Sequence, residues 1–591
     1  MRFRSKVLRA APRIGFAVLL MTLVFVVFLD LGLGRETIRR RIKPLIPIET
    51  RHDLVAFLTG FQTPSSPTAD LEPISHIGIP PYGVNVFLEQ EVEEAKVRRT
   101  MEMAREGGFT LIRQQLVWGE IEVPAKGQYI DRATGESSWA KYDRIVSLAQ
   151  EYGLEVLFRI ETSPVWARPG NPKLETPPDD FDDYGDFVAA VVERYQGQVR
   201  YYQIWNEPNL AFEWGGNGPA PAWDYVDMLK IGYQRAKTID PNAVILSAAL
   251  APTIEESVRG WNDLKFLQQM YDFGAKDFFD ILGSNVYGLW SGPDDRRLNV
   301  ERDVNYSRPL MIREIMVRNG DAAKSIWLCE IGWNALPEDF PAPPDKILFG
   351  RVSREVQARY TARAFRRAQE EWPWVGGLML WHFRMVQPDA PLLQHYYFNA
   401  VDEDFTPQPV YFAMRDLTSL PIPVERGFRQ EDDWRLEWIG SWQNDQDDQA
   451  VLGEFRRSGQ SGDALTFSFR GTRLDLVTRR GPDAGAIEVT INGQSALVNS
   501  VRPDASGRAI IDLRAPSEAW REHISIAAGL IDTVHQVEIR TVDRDDGVGD
   551  VIVDGIVVDR EVGGTLIDLV VLAIGVVSLL AIARQPGRRR R

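Results

Sequence analysis

Between residues 80 and 418 the chain alternates two hydrophobic patterns. Short runs rich in β-branched and aromatic residues recur: YGVNVF from Tyr82, FTLIRQQLV from Phe109, LEVLFRI from Leu154, VRYYQIW from Val199, AVILSAAL from Ala243, FDILGSNVY from Phe279, SIWLCEIGW from Ser325 and VGGLMLWHF from Val375. Helix-length stretches with apolar residues every three or four positions separate them, such as YGDFVAAVVERYQG from Tyr184 and SREVQARYTARAFRRAQEEW from Ser353. Strands alternating with helices in this way predict a (β/α)8 barrel over 78–420. A doubly wound sheet is the alternative, but no glycine-rich phosphate loop accompanies the first strand. Beyond about 430 the helical period fades. ALTFSFRGTRLDLVTRR, GAIEVTINGQSALVN, GRAIIDL, HQVEIRTV and DVIVDGIVV read as strands, with turn signals at Asn492-Gly493 and Asp554-Gly555, and predict an antiparallel β-sandwich over 421–560.

Two longer apolar runs lie near the ends. Residues 14–33 and 565–583 are each about a bilayer thick, and both predict transmembrane helices. A signal peptide competes for the first, but its apolar core is long and no small-residue cleavage pattern follows. Arg584 and Arg588–Arg591 place the 584–591 tail in the cytoplasm, and a second span returns the basic 1–13 tail there too. The expected fold class is therefore α/β: a (β/α)8 TIM barrel, then an antiparallel β-sandwich, flanked by two transmembrane helices. Residues 34–77, rich in Pro, Ser and Thr, are expected to be a linker. The expected location is a bacterial cell membrane, with both termini cytoplasmic and the catalytic domain extracellular.

Composition narrows the partners. The formal charge of −15 disfavours a nucleic-acid partner. Cys329 is the single cysteine, and the six histidines include no HExxH pair. No metal and no cofactor are expected. The 17 tryptophans suit sugar-binding clefts as well as cores.

The chemistry gathers where barrel strands end. Asn206, Glu207, Pro208 and Asn209 follow VRYYQIW directly, and these residue types are poor inside a strand. Glu207 thus ends the fourth strand and Glu330 the seventh. Either alone reads as an ordinary rim carboxylate. As a pair at a barrel mouth they fit glycosidic cleavage, which needs one carboxyl to protonate the leaving oxygen and another to attack or to activate water. Cys329 precedes Glu330, so strand alternation points it to the other side, as a packing residue.

At these residues the sequence resembles the retaining glycoside hydrolases of clan A, families 39 and 5 in particular. Asn206-Glu207-Pro208 matches their strand-four motif, and Glu330 in WLCEIGW their strand-seven glutamate. Arg113, the WGEIEVPAKGQY segment, the TSPVWARPG loop, Tyr287, Trp381 and NAVDEDFTPQPVYFAM match further elements in order over residues 78–418. The resemblance implies Glu207 as acid/base, Glu330 as nucleophile, Arg113 and Tyr287 orienting Glu330, Asn206 on the sugar 2-hydroxyl and Trp381 beneath the sugar. One position departs: many relatives carry histidine where this chain has Asn285, which alters the hydrogen bonding near the substrate. Trp166, Trp214, Trp290 and Trp333 on predicted mouth loops are candidates for further subsites. Phe467–Gln494 and VHQVEIRTV resemble galactose-binding-like sandwiches, with Trp434, Trp438 and Trp442 as candidate stacking residues. The implied protein is a membrane-anchored retaining glycosidase acting on a polysaccharide or glycoside by double displacement, with a carbohydrate partner. A transglycosylase is a close variant, and a non-catalytic carbohydrate-binding or surface-assembly protein is the alternative of a different class.

Overall fold

The computed structural model describes residues 68–560 apart from 172, 299–303, 388, 496–507, 544–546 and 548. They fall into two units. One runs to Ile422 and takes in Asp432–Trp434; the other comprises Pro423–Glu431 and the chain from Arg435.

The first unit is built on β1 (Tyr82–Val86), β2 (Leu111–Val117), β3 (Glu155–Glu161), β4 (Tyr201–Ile204), β5 (Val244–Leu246), β6 (Leu282–Tyr287), β7 (Ile326–Gly332) and β8 (Val375–Leu380). All pair in parallel, in the order β5-β4-β3-β2-β1-β8-β7-β6. The two ends of this ladder meet through single bridges, Leu246–Ile281 and Leu250–Ser284, so the barrel is nearly closed. A helix follows each strand: α1 (Glu94–Glu106), α2 (Ala140–Glu151), α3 (Phe181–Tyr195), α4 (Ala222–Ile239), α5 (Asp263–Asp272), α6 (Arg308–Arg318), α7 (Arg354–Glu371) and α8 (Pro409–Thr418). Their starts are written in the sequence. The side chains of Asp180, Asn262 and Ser353 accept backbone N–H bonds at the first turns of α3, α5 and α7. α3 buries Tyr184, Phe187, Val188, Val191, Val192 and Tyr195, the spacing of one helical face.

The main core lies between strands and helices. Ile74 and Ile77, within the stretch expected to be a linker, are buried in it. A second apolar cluster, including Leu111, Leu157, Tyr201, Val244, Trp327, Cys329 and Met379, comes from the barrel strands themselves. Cys329 and Glu330 do not alternate as expected. Ser284 of β6 lies opposite Leu328 of β7, yet the next residue, Asn285, lies opposite Glu330. On the other side Leu378 faces Leu328 and Leu380 faces Ile331. β7 therefore carries one extra residue, a β-bulge, which resets the facing of the residues beyond it.

The second unit is antiparallel. Gly427–Gln430, Gly555–Asp559, Arg473–Arg480 and Ala519–Ala527 form one sheet. Glu437–Ile439, Ala464–Gly471, Thr533–Val542 and Ala486–Ile491 run through another. Leu474, Leu476 and Ile556 of the first share one buried cluster with Leu465, Phe467, Ile487 and Ile539 of the second, which makes a β-sandwich. Trp438 and Trp442 meet at 4.8 Å between ring centres and pack on that cluster.

The expectation of two transmembrane helices is corrected. Among the described residues no helix is long and apolar enough to cross a membrane, and 14–33 and 565–583 lie outside the described residues. The fold is a barrel with additional β-sheets. Among the described residues it supplies no span to carry the expected membrane partner, cell-membrane location, cytoplasmic termini or membrane-anchored function.

The β5–β6 seam yields a stability prediction. A Cβ on Gly283 would sit 2.6 Å from the Ser247 carbonyl oxygen and 3.0 Å from the Ala249 nitrogen, both fixed backbone atoms. Gly283→Ala should cost about 1–3 kcal/mol by forcing the seam apart. The check is chemical denaturation: a lowered midpoint is expected, and an unchanged midpoint would show that the seam gives way freely.

Candidate active site

The residues at the C-terminal mouth converge on one buried arginine. Arg113 in β2 points into the barrel and is 2% exposed. Its Nε donates to Gln203 Oε1 of β4 at 2.9 Å, and its Nη1 to Asn85 Oδ1 of β1 at 2.8 Å and to Glu330 Oε1 of β7 at 2.9 Å. Its Nη2 donates to Asn206 Oδ1 at 2.9 Å. Asn206 can accept there only with its amide nitrogen turned elsewhere, so Arg113 fixes which end of that side chain is available. Asn85 is held in turn by the carbonyls of Cys329 and Leu380.

Glu330 is 3% exposed and surrounded by donors. The Tyr287 hydroxyl donates to its Oε2. Arg159 in β3 brings Nη1 within 3.7 Å of its Oε1. These are partners for a carboxylate. Burial, then the Glu330 charge, pushes the Tyr287 hydroxyl well above the usual tyrosine range, so it remains a donor.

Glu207 has a different setting. The chain leaves β4 with Trp205 and Glu207 both in the left-handed region, at φ 67° and 39°. Few non-glycine residues adopt this. Backbone bonds hold it: Trp205 N–H donates to Ile160 O at 3.1 Å, and Glu207 N–H to Ala249 O at 3.1 Å. The Asn285 amide donates to Glu207 Oε1 at 2.6 Å. Asn285 is also the residue paired with Glu330 across β6 and β7, so its backbone flanks one acid while its side chain holds the other. Burial, and then the Glu330 charge, raise the Glu207 carboxyl from 4.5 to about 8, against the pull of Asn285 and Arg113.

The other expected residues divide. Trp381 is half-buried at the end of β8, edge-on to Phe87 at 5.7 Å, and a cis peptide joins it to His382. Trp166 is half-buried, donates to the Glu122 carbonyl at 2.7 Å and packs edge-on against Trp118. Trp214 is half-buried against Trp205, and Trp290 is exposed. Trp333 is fully enclosed: its ring packs against Tyr306 and Tyr360 and its Nε1 donates to the Ser291 carbonyl. It offers no face to a ligand. Sequence reading passed over Asn85, Gln203, Arg159, Glu161 and Glu213. Asn85 and Gln203 were visible as lone polar residues inside apolar strands, a placement that demands partners. Among the described residues no group of His, Cys, Asp or Glu is arranged to hold a metal ion.

Residues 79–249 match the model of the family Cellulase (glycosyl hydrolase family 5). A curated relative, "Beta-glucosidase-like SFR2, chloroplastic" of Oryza sativa subsp. japonica, is 26% identical over 129 residues, and the match spans 20% of this chain and 20% of that protein. Among solved structures, a family 39 glycoside hydrolase from Bacteroides cellulosilyticus WH2 is similar at 19% identity, covering 80% of this chain and 83% of that one with a TM-score of 0.46. A glucosidase from Croceicoccus marinus is similar at 14% identity, covering 80% and 98%, with a TM-score of 0.42. The family match on this barrel makes it a glycoside-hydrolase-like domain of the clan A kind, and no single family within that clan is singled out.

The Glu207 setting predicts a pH dependence of stability. The folded chain holds this proton more tightly than the unfolded chain, since about 8 exceeds 4.5. Folding stability should therefore fall as pH rises through that window. Glu207→Gln has no proton to lose. Its stability relative to the unmodified protein should rise across the window, reaching on the order of a few kcal/mol above it. Denaturation midpoints of both proteins at several pH values read this directly; parallel curves would contradict it.

Proposed function

We propose that the barrel is a retaining glycoside hydrolase with Glu207 as general acid/base and Glu330 as nucleophile. The observation that carries the reading is the contrast between two buried carboxyls at one mouth. Glu330 faces two guanidinium groups and a phenol; Glu207 is desolvated beside it and keeps its proton to about 8. The acid held protonated is read as the proton donor, and the one ringed by donors as the attacking carboxylate.

In the first step Glu207 protonates the leaving oxygen while a Glu330 oxygen attacks the anomeric carbon, forming a glycosyl ester and releasing the aglycone. The negative charge now rests on Glu207, where the Asn285 amide stabilises it. In the second step Glu207 takes a proton from water. The hydroxide equivalent attacks the anomeric carbon and Glu330 departs as carboxylate, giving back the original configuration. The Asn206 amide, with its oxygen fixed by Arg113, is free to donate to the sugar 2-hydroxyl, and Trp381 offers a flat face beneath the ring.

Glu330→Ala should abolish turnover on every substrate. Glu207→Ala should lose about 10²–10⁴-fold on poor leaving groups and far less on activated aryl glycosides. Azide should rescue the Glu207 variant and yield a glycosyl azide of retained configuration. In the unmodified enzyme kcat/KM should fall as pH rises past about 8, where Glu207 loses its proton. The decisive measurement is the anomeric configuration of first-formed products by NMR. Inversion would refute the two-step route, and full activity in the Glu330 variant would refute the site.

A further inference from the structure

Two arginines reach Glu330, and only Arg113 is hydrogen-bonded to it. Arg113 spends its donors on Gln203, Asn85, Glu330 and Asn206. Arg159 of β3 stands opposite Gln115 of β2 in the barrel ladder and is buried. Its Nη2 lies 2.8 Å from Glu161 Oε1, and its Nη1 lies 3.7 Å from Glu330 Oε1. The first pair is in contact; the second is an ion pair beyond hydrogen-bond reach. One guanidinium group is therefore divided between two carboxyls, and the nearer one is not the proposed nucleophile. Glu161 is anchored from the other side, where Gln115 Nε2 donates to the same Oε1 at 2.6 Å. The stand-off between Arg159 and Glu330 is thus set by where β2 holds Glu161.

The unpaired atoms tell of the same division. A guanidinium and a carboxylate at their best share two parallel bonds. Here Arg159 Nε and Glu161 Oε2 are both buried without a hydrogen-bond partner, so each member is one bond short of that fork. A fork would commit the charge of Arg159 to Glu161; a single contact leaves it shared. Burial disfavours the Arg159 cation, but the charges of Glu161 and Glu330, with smaller help from Glu213 and Glu89, outweigh it and hold the guanidinium above its ordinary range. Burial lifts the Glu161 carboxyl, against Arg159 and Arg113 and with Glu330 and Glu175 adding to the rise. Glu330 itself is faced by Arg113, Arg159, Tyr287 and the proton-holding Glu207. Its charge is spent as it attacks, so a second cation closing on it would favour the resting carboxylate over the transition state.

We infer that Arg159 is a positioning residue for Glu330, and that Glu161, braced by Gln115, holds its guanidinium back from the nucleophile. The inference rests on the glycosidase reading for the nucleophilic role of Glu330.

Two readouts test it, and the first needs no turnover. The unfolding equilibrium of the full chain is measured near neutral pH for Arg159→Gln, Glu330→Gln and the two together, in the unmodified background and again with Glu161→Gln. Arg159 and Glu330 should be favourably coupled, by about twofold or more in the unfolding constant. The coupling should grow with Glu161→Gln, which releases the guanidinium to Glu330; a Glu161 that only fills space would leave it unchanged. The second readout is the acidic limb of kcat/KM on an activated aryl glycoside, which reports the ionisation of the nucleophile in the free enzyme. Arg159→Gln removes a cation and should move that limb to higher pH by about one unit. Glu161→Gln removes an anion, frees the cation, and should move it to lower pH by about as much. Arg159→Lys keeps the charge, should fall between Arg159→Gln and the unmodified protein, and serves in both readouts if the neutral variant does not fold. No coupling, a coupling that Glu161→Gln does not strengthen, or limbs that stay put or move in the same direction would overturn the inference. The expected coupling with no glycoside hydrolysed would instead sink the hydrolase reading and leave the shared charge standing.

Discussion

A guanidinium group cannot be buried without its donors being met, and Arg113 is buried at the axis of the barrel. Meeting them takes side chains from β1, β4 and β7 and from the turn after β4. The arginine thereby sets a common origin for three separate pieces of chain: β1, β4 with its turn, and β7. Glu330 and Asn206 come from opposite sides of the barrel, and one planar fork orients both. Much of the mouth's geometry is the solution to that one desolvation problem.

The second constraint is backbone shape. Both proposed acids sit where the chain departs from regular strand. Glu207 follows β4 in a left-handed conformation tied to β5 through Ala249, and Glu330 lies at the bulge of β7. Regular β-structure places side chains in alternating layers, and these irregularities aim individual ones. Asn285 pairs through its backbone with one irregular residue and hydrogen-bonds the other through its side chain, so one residue adjoins both departures.

The barrel was legible because eight apolar runs and their intervening helices each carry their own period, and local signals such as Asp180, Asn262 and Ser353 agree with them. Glu207 and Glu330 were legible from their places at strand ends, and Arg113, Asn206, Tyr287 and Asn285 from the family resemblance; hydrogen bonds join Arg113, Glu330, Asn206 and Tyr287 in one group and Asn285 to Glu207 in another. Arg159 and Glu161 were not, because a charged pair within EVLFRIE has meaning only once β2 and β7 are known to face it. Trp333 misled for a related reason. Its position beyond Glu330 suggests the mouth, but a ring that large, met by Tyr306 and Tyr360, goes inward. The linker expectation ran too far at its end, since Ile74 and Ile77 had core to reach. The bulge left no mark on the sequence at all: WLCEIGW alternates as plausibly without it.

That bulge makes the local backbone at Glu330 a matter of counting rather than of chemistry. The thiol of Cys329 contributes packing, and burial lifts its pKa to about 11, far from any reactive state. What matters is that Cys329 occupies a place. Between Leu328 and Glu330 the strand advances two residues while β6 advances one. Length change and substitution therefore have unlike effects here. A chain shortened by one residue at this point would return to regular alternation after Leu328, which faces the helices, and would leave Glu330 facing inward but without the bulge that sets its position. A different small residue in place of Cys329 would leave its heading intact. The residue before Glu330 can thus be replaced far more freely than it can be removed.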